Sequence, residues 1–81
     1  MRRYPRAIHA LRADDMRRHP RVWVEVAVYN GHSSAESTAR QIRTGDRVRH
    51  YLPAGAFETR TTPLPDGGTA LHARYIGGPL A

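Results

Sequence analysis

The chain has 81 residues, no cysteine, and thirteen arginines without a single lysine, against seven acidic residues, for a formal charge of +6. One short domain is expected, burying only about 60% of its unfolded surface, with neither disulfides nor thiolate metal sites. No apolar run approaches the roughly 18 residues that cross a membrane, and His9, Arg12, Asp14 and Asp15 interrupt the N-terminal stretch that a secretory signal would keep apolar.

The absence of cysteine suits a reducing cytoplasm, where the protein is placed. Codon bias toward arginine explains the missing lysine but not the excess of basic over acidic residues. A net positive field attracts polyanions, nucleic acid first, and arginine adds planar bidentate contacts to phosphate.

Residues 1–4 are expected to fray. Pro5 suits a first helical turn, and good helix formers run from Arg6 to about Arg18. Ile8, Leu11 and Met16 are taken as the apolar side of this helix. Arg17, Arg18 and His19 complement the dipole of its last turn, and Pro20 ends it.

Val22–Tyr29 is the strongest structural signal. Val22, Val24, Val26 and Val28 alternate with Trp23, Glu25, Ala27 and Tyr29, which predicts a central or near-central strand with a buried valine face. Asn30-Gly31 is a turn. Ser33 followed by Glu36 has capping-box spacing and predicts a helix from about Ser34 to Arg43. Its inner stripe is Ala35, Thr38, Ala39 and Ile42, and Gly45 is placed for a left-handed cap.

Asp46–Leu52 alternates well enough for a short fourth edge strand. Ala56–Thr61 reads as a strand with Phe57, Thr59 and Thr61 on one face. The Thr62–Gly68 stretch is a loop by composition, and Thr69–Ile76 is the last strand, with Leu71, Ala73 and Tyr75 on one face. Gly77-Gly78-Pro79 ends it, and 78–81 is expected to be mobile.

The expected fold over 1–81 is a single small α+β domain in two layers, α-β-α-β-β. Its three-stranded mixed sheet has an antiparallel hairpin at the end and a parallel pairing across the second helix. The first helix covers an edge or part of the opposite face.

The strings Ser34-Ala-Glu-Ser-Thr-Ala-Arg-Gln-Ile-Arg-Thr-Gly45, Pro53-Ala-Gly-Ala-Phe-Glu-Thr-Arg60 and Ala73-Arg-Tyr-Ile-Gly77 resemble small arginine-rich proteins of actinobacteria and their phages. The likeness implies a phage or mobile-element origin and brings no functional residues with it.

Catalytic signatures are missing. There is no Gly-rich phosphate loop and no His-Glu-x-x-His, and His9, His19, His32, His50 and His72 lack ligand spacing. No catalytic residue, metal or cofactor is assigned. Two features carry a functional reading. The first is the cluster Arg40, Arg43, Arg47 and Arg49, extended by Arg17, Arg18 and Arg21, as a phosphate-contacting patch. The alternative is a solvated basic surface.

The second feature is the face expected to carry Trp23, Glu25, Tyr29, Glu58, Arg60, His72 and Arg74. Rings interleaved with arginine form a platform for single-stranded nucleic acid. The competing reading, favoured because an isolated Trp is usually largely buried, packs Trp23 under the first helix.

The expectation is a small non-enzymatic nucleic-acid-binding protein, for DNA or RNA, as a monomer or weak dimer with no membrane partner. Positive charge on the expected 47–52 edge argues against tight pairing there. The alternatives are a protein-interaction module and, below it, a ribonuclease toxin using His72, Arg74 and Glu58.

Overall fold

The computed structural model describes residues 7–77, so the expectations for Pro5 and for residues 1–4 and 78–81 lie outside it. The elements run α1 (His9–Arg18), β1 (Val24–Tyr29), α2 (His32–Thr44), a 3-10 turn (Arg49–Tyr51), β2 (Phe57–Pro63) and β3 (Thr69–Tyr75). The fold is α+β, with an open three-stranded sheet. No helix among the described residues is long and apolar enough to cross a membrane.

The strand order is β1-β3-β2, and both pairings are antiparallel. The expected hairpin of β2 and β3 is present. β1 and β2 run in the same direction, but β3 lies between them, so the expected parallel pairing and mixed sheet do not form. The central strand is β3, not β1. Its run Thr69-Ala70-Leu71 is buried on both faces, and Ala73 is buried too, as a central position demands.

The valine face of β1 stops partway. Val24 pairs with Ala73 and Glu25 with His72, but Ala27 pairs with Leu71, so Val26 is an extra residue in a β-bulge. A bulge reverses the alternation that follows it. Ala27 and Tyr29 therefore join Val24 and Val26 on the core side, while Val28 pairs with Ala70 on the other face. Val22 precedes the strand and is exposed, because the turn through Arg21, at φ 67°, ties Arg21 N–H to the Tyr75 carbonyl.

One core joins both helices to one face of the sheet. Ala13 and Met16 of α1, Ala39 and Ile42 of α2, and Val26, Phe57, Leu71 and Ala73 of the strands pack together. The first helix thus shares the side of the second and does not cross to the opposite face. Its buried stripe is also not the expected one. Leu11 and Met16, five residues apart, stand about 140° apart around a helix. Met16 and Ala13 are buried, and Ile8 and Leu11 are exposed.

His9 shares the inner side of α1, and its Nδ1 lies 2.8 Å from the Tyr51 hydroxyl. Burial, with His50 adding to it, lowers the His9 pKa from its ordinary value. Burial raises that of Tyr51.

Tyr51 explains why 46–52 is a turn and not a fourth strand. Gly45 and Arg47 both adopt left-handed backbone, at φ 73° and 63°, and curl the chain. The 3-10 turn then drops Tyr51 into the core, edge-on to Phe57 at 5.1 Å.

The inner stripe of α2 is as expected, with Ala35, Ala39 and Ile42 buried and Thr38 half-buried. Its start differs. The helix begins at His32, capped by extended Gly31 with no side-chain cap, and Ser33 lies inside it. Glu36 is free of capping duty and accepts a hydrogen bond from Thr61 Oγ1 at 2.9 Å.

Candidate nucleic-acid interface

At 100° per residue, burying Ala35, Ala39 and Ile42 turns Ser37, Arg40 and Thr44 out to solvent, with Gln41 half-buried beside them. Gly45 ends α2 in the left-handed conformation, its N–H donating to the Gln41 carbonyl at 2.7 Å. Thr44 Oγ1 donates to the Arg40 carbonyl at 2.9 Å and accepts the Asp46 N–H at 3.2 Å. These bonds and the positive φ of Arg47 fold the chain back along the helix it has just left.

The result is an open polar pocket of about 330 Å³ lined by Ser37, Arg40, Gln41, Thr44, Asp46 and Arg47. Arg49 follows, exposed on the 3-10 turn. Among the described residues, the guanidinium groups of Arg40, Arg47 and Arg49 make no hydrogen bond or ion pair.

Of the other sequence-derived arginines, Arg43, Arg17 and Arg18 are engaged elsewhere. Arg43, on the flank of α2, donates from Nη1 to Thr59 Oγ1 at 2.9 Å and stands beside β2. Arg17 lies over the rings of Phe57 and Tyr75, 5.1 and 5.9 Å from their centroids, and donates to the Leu52 carbonyl at 2.9 Å. It acts as a lid on the core. Arg18 pairs with Asp14 at 2.9 Å, one helical turn away. Arg21 is the left-handed residue between α1 and β1; among the described residues its guanidinium makes no hydrogen bond or ion pair, and it lies outside the pocket.

Trp23 is not covered by α1. It stands on the helix-free face of the sheet, half-buried under Arg60 and Arg74, whose guanidinium carbons lie 4.4 and 4.5 Å from its ring centroid. Arginine stems shelter the ring where a helix was expected to. Strand pairing orders this face in two rows. Trp23 leads to Arg74 and then to Glu58, which accepts from Arg74 Nε; Glu25 leads to His72 and then to Arg60.

Tyr29, expected here, is on the core side beyond the bulge. The face therefore offers one ring, already stacked, and two arginines against two glutamates. Glu58, His72 and Arg74, the residues of the ribonuclease reading, share this face; Glu58 is held by Arg74, and His72 Nδ1 is buried with no hydrogen-bond partner among the described residues.

The two features lie on opposite sides of the domain, one on the outward face of α2 and the other beyond the sheet. Half of the +6 charge belongs to residues outside the described ones. Arg2, Arg3 and Arg6 precede the described residues, where ten arginines face seven acidic side chains, a difference of three. Among the described residues, no three His, Asp or Glu side chains are grouped to hold a metal ion. Sequence reasoning missed the contrast between free and engaged arginines. The Thr44-Gly45-Asp46 turn was its only trace, as a chain reversal directly after Arg40. No protein-family model, curated protein or solved structure matches the chain, so any functional reading rests on these residues alone.

Proposed function

We propose that the protein binds nucleic acid, DNA or RNA, through its phosphates, at the reversed C-terminal end of α2, and catalyses no reaction. Arg40, Arg47 and Arg49 are the contacts, and Arg43 stands at the margin on Thr59. The observation that carries this reading is that, among the described residues, those three guanidinium groups have no hydrogen-bond or ion-pair partner, and two of them line one open pocket. An arginine already holding a carboxylate must give it up to take a phosphate; these give up only water.

The reading takes the domain as two layers, with both helices on one side, so that the patch and the sheet face work separately. Arg17 and Arg18 are left out because their guanidinium groups are occupied. A cytoplasmic residence and a phage or mobile-element origin go with the proposal.

Each phosphate contact releases condensed counterions, giving a slope of about −0.9 in log affinity against log salt on duplex DNA. Three contacts give about −2.7, and less on single strands. A titration of DNA and RNA pools over a range of salt measures it. Absence of binding to either pool at low salt would sink the proposal.

A further inference from the structure

We infer that the free edge of β2 is a self-association surface, on which a second copy of this chain adds its own β2 antiparallel to form one six-stranded sheet. This does not depend on the nucleic-acid reading.

The sheet has two edges, and they differ. β1 is interrupted by the bulge at Val26, which twists an edge away from pairing. β2 has no such interruption: its register against β3 runs unbroken from Phe57 to Pro63. Among the described residues, nothing else hydrogen-bonds to the backbone of 57–63. The neighbouring α2 packs on the core side of this strand, and among the described residues its hydrogen bonds to it involve side-chain hydroxyls, Arg43 with Thr59 and Glu36 with Thr61. A row of unpaired backbone groups is a template for another strand.

The charges on β2 select the partner and the register. A two-fold antiparallel pairing must match residues of the same face. Centred on Thr59, it sets Glu58 of each copy opposite Arg60 of the other, twice per dimer. Centred on Glu58 or Arg60, it would set like charges against each other, which is destabilising.

The matched register also joins the two rows of the helix-free face end to end. Arg74 and Glu58 of one copy continue into Arg60, His72 and Glu25 of the other, so each glutamate lies beside an arginine on both sides or ends the row. Both partners can accept this without leaving their present contacts. The Glu58 carboxylate has lone pairs beyond those used by Arg74. Arg60 lies over Trp23, and among the described residues its guanidinium N–H groups make no hydrogen bond or ion pair.

Sedimentation over a concentration series tests this with Glu58→Arg and Arg60→Glu. Each single variant places like charges in both contacts and should weaken self-association roughly tenfold or more. Mixing the two variants restores both opposite-charge contacts, so the mixture should associate as a heterodimer at least as well as the original protein. Circular dichroism confirms that each variant is folded. The proposal is overturned if the unaltered protein stays monomeric throughout the series. It is equally overturned if either single variant associates as tightly as the parent, or if the mixture associates no better than its components.

Discussion

Arg40 and Arg47 stand on the outward side of α2; Arg60 and Arg74 stand on the helix-free face of the sheet, beyond the core. All four carry the same charge, and three of the four are well exposed. Their surroundings separate them. Arg60 and Arg74 share the ring of Trp23, and Arg74 holds Glu58. Arg40 and Arg47 share a pocket with Asp46, and among the described residues their guanidinium groups make no hydrogen bond or ion pair. Counting arginines therefore does not locate a polyanion site; what matters is which guanidinium groups the fold leaves unoccupied.

The largest expected effect comes from the turn that brings Arg47 back to Arg40. Gly45→Ala should cost about 1–2 kcal/mol, because a side chain is forced into left-handed backbone. The added Cβ would also collide with Leu52 Cδ2, a contact the exposed Leu52 side chain relieves by turning away. Thermal unfolding reads the loss. Salt titration of the variant should show weaker phosphate binding even where it is fully folded, since Arg47 no longer sits beside Arg40.

Arg74→Ala should act in the opposite sense. It leaves Glu58 without its partner and removes one cation from Trp23, for a loss of about 0.5–1 kcal/mol after allowing for solvent screening of a partly exposed pair. Denaturant unfolding should detect this, while the salt dependence of nucleic-acid binding stays unchanged. A larger effect of Arg74→Ala on binding than on stability would move the interface to the sheet face.

The smallest effect is a pH response that belongs to neither group. Burial holds the His9 pKa below its unfolded value of 6.5, so the unfolded chain binds the proton more readily. The stability tied to neutral His9 is complete above pH 6.5 and declines as the pH falls below it. Denaturant midpoints at neutral and mildly acidic pH should show the decline, and His9→Gln should reduce it.

Much of the fold was legible. α2, its alanine stripe, the Gly45 cap and the β2–β3 hairpin follow from helical spacing and turn chemistry that depend on neighbours in sequence. What was missed depends on partners far along the chain. The bulge at Val26 is invisible to a period-two pattern and moves Tyr29 from one face to the other. The centrality of β3 is masked because Ala70 and Ala73 bury little apolar area each, whereas the valines of β1 advertise more than they deliver at an edge.

Tyr51 looked like one side of a strand because nothing local marks it as a core residue held by His9. The arginine patch was legible as composition, in Arg40, Arg43, Arg47 and Arg49. The division within it was not, since Thr59, which takes Arg43, is sixteen residues away.

The central claim is that the unoccupied arginines at the C-terminal end of α2 and in the turn after it, and not the stacked ones of the sheet, meet phosphate. The most direct measurement is the slope of log affinity against log salt on one duplex DNA for two double variants side by side, Arg40→Ala with Arg47→Ala, and Arg60→Ala with Arg74→Ala. The first should flatten the slope by about 1.8, two contacts' worth, and leave the unfolding temperature unchanged. The second should lower the unfolding temperature and leave the slope as it was. A slope flattened by the sheet variant and untouched by the α2 variant would contradict the account.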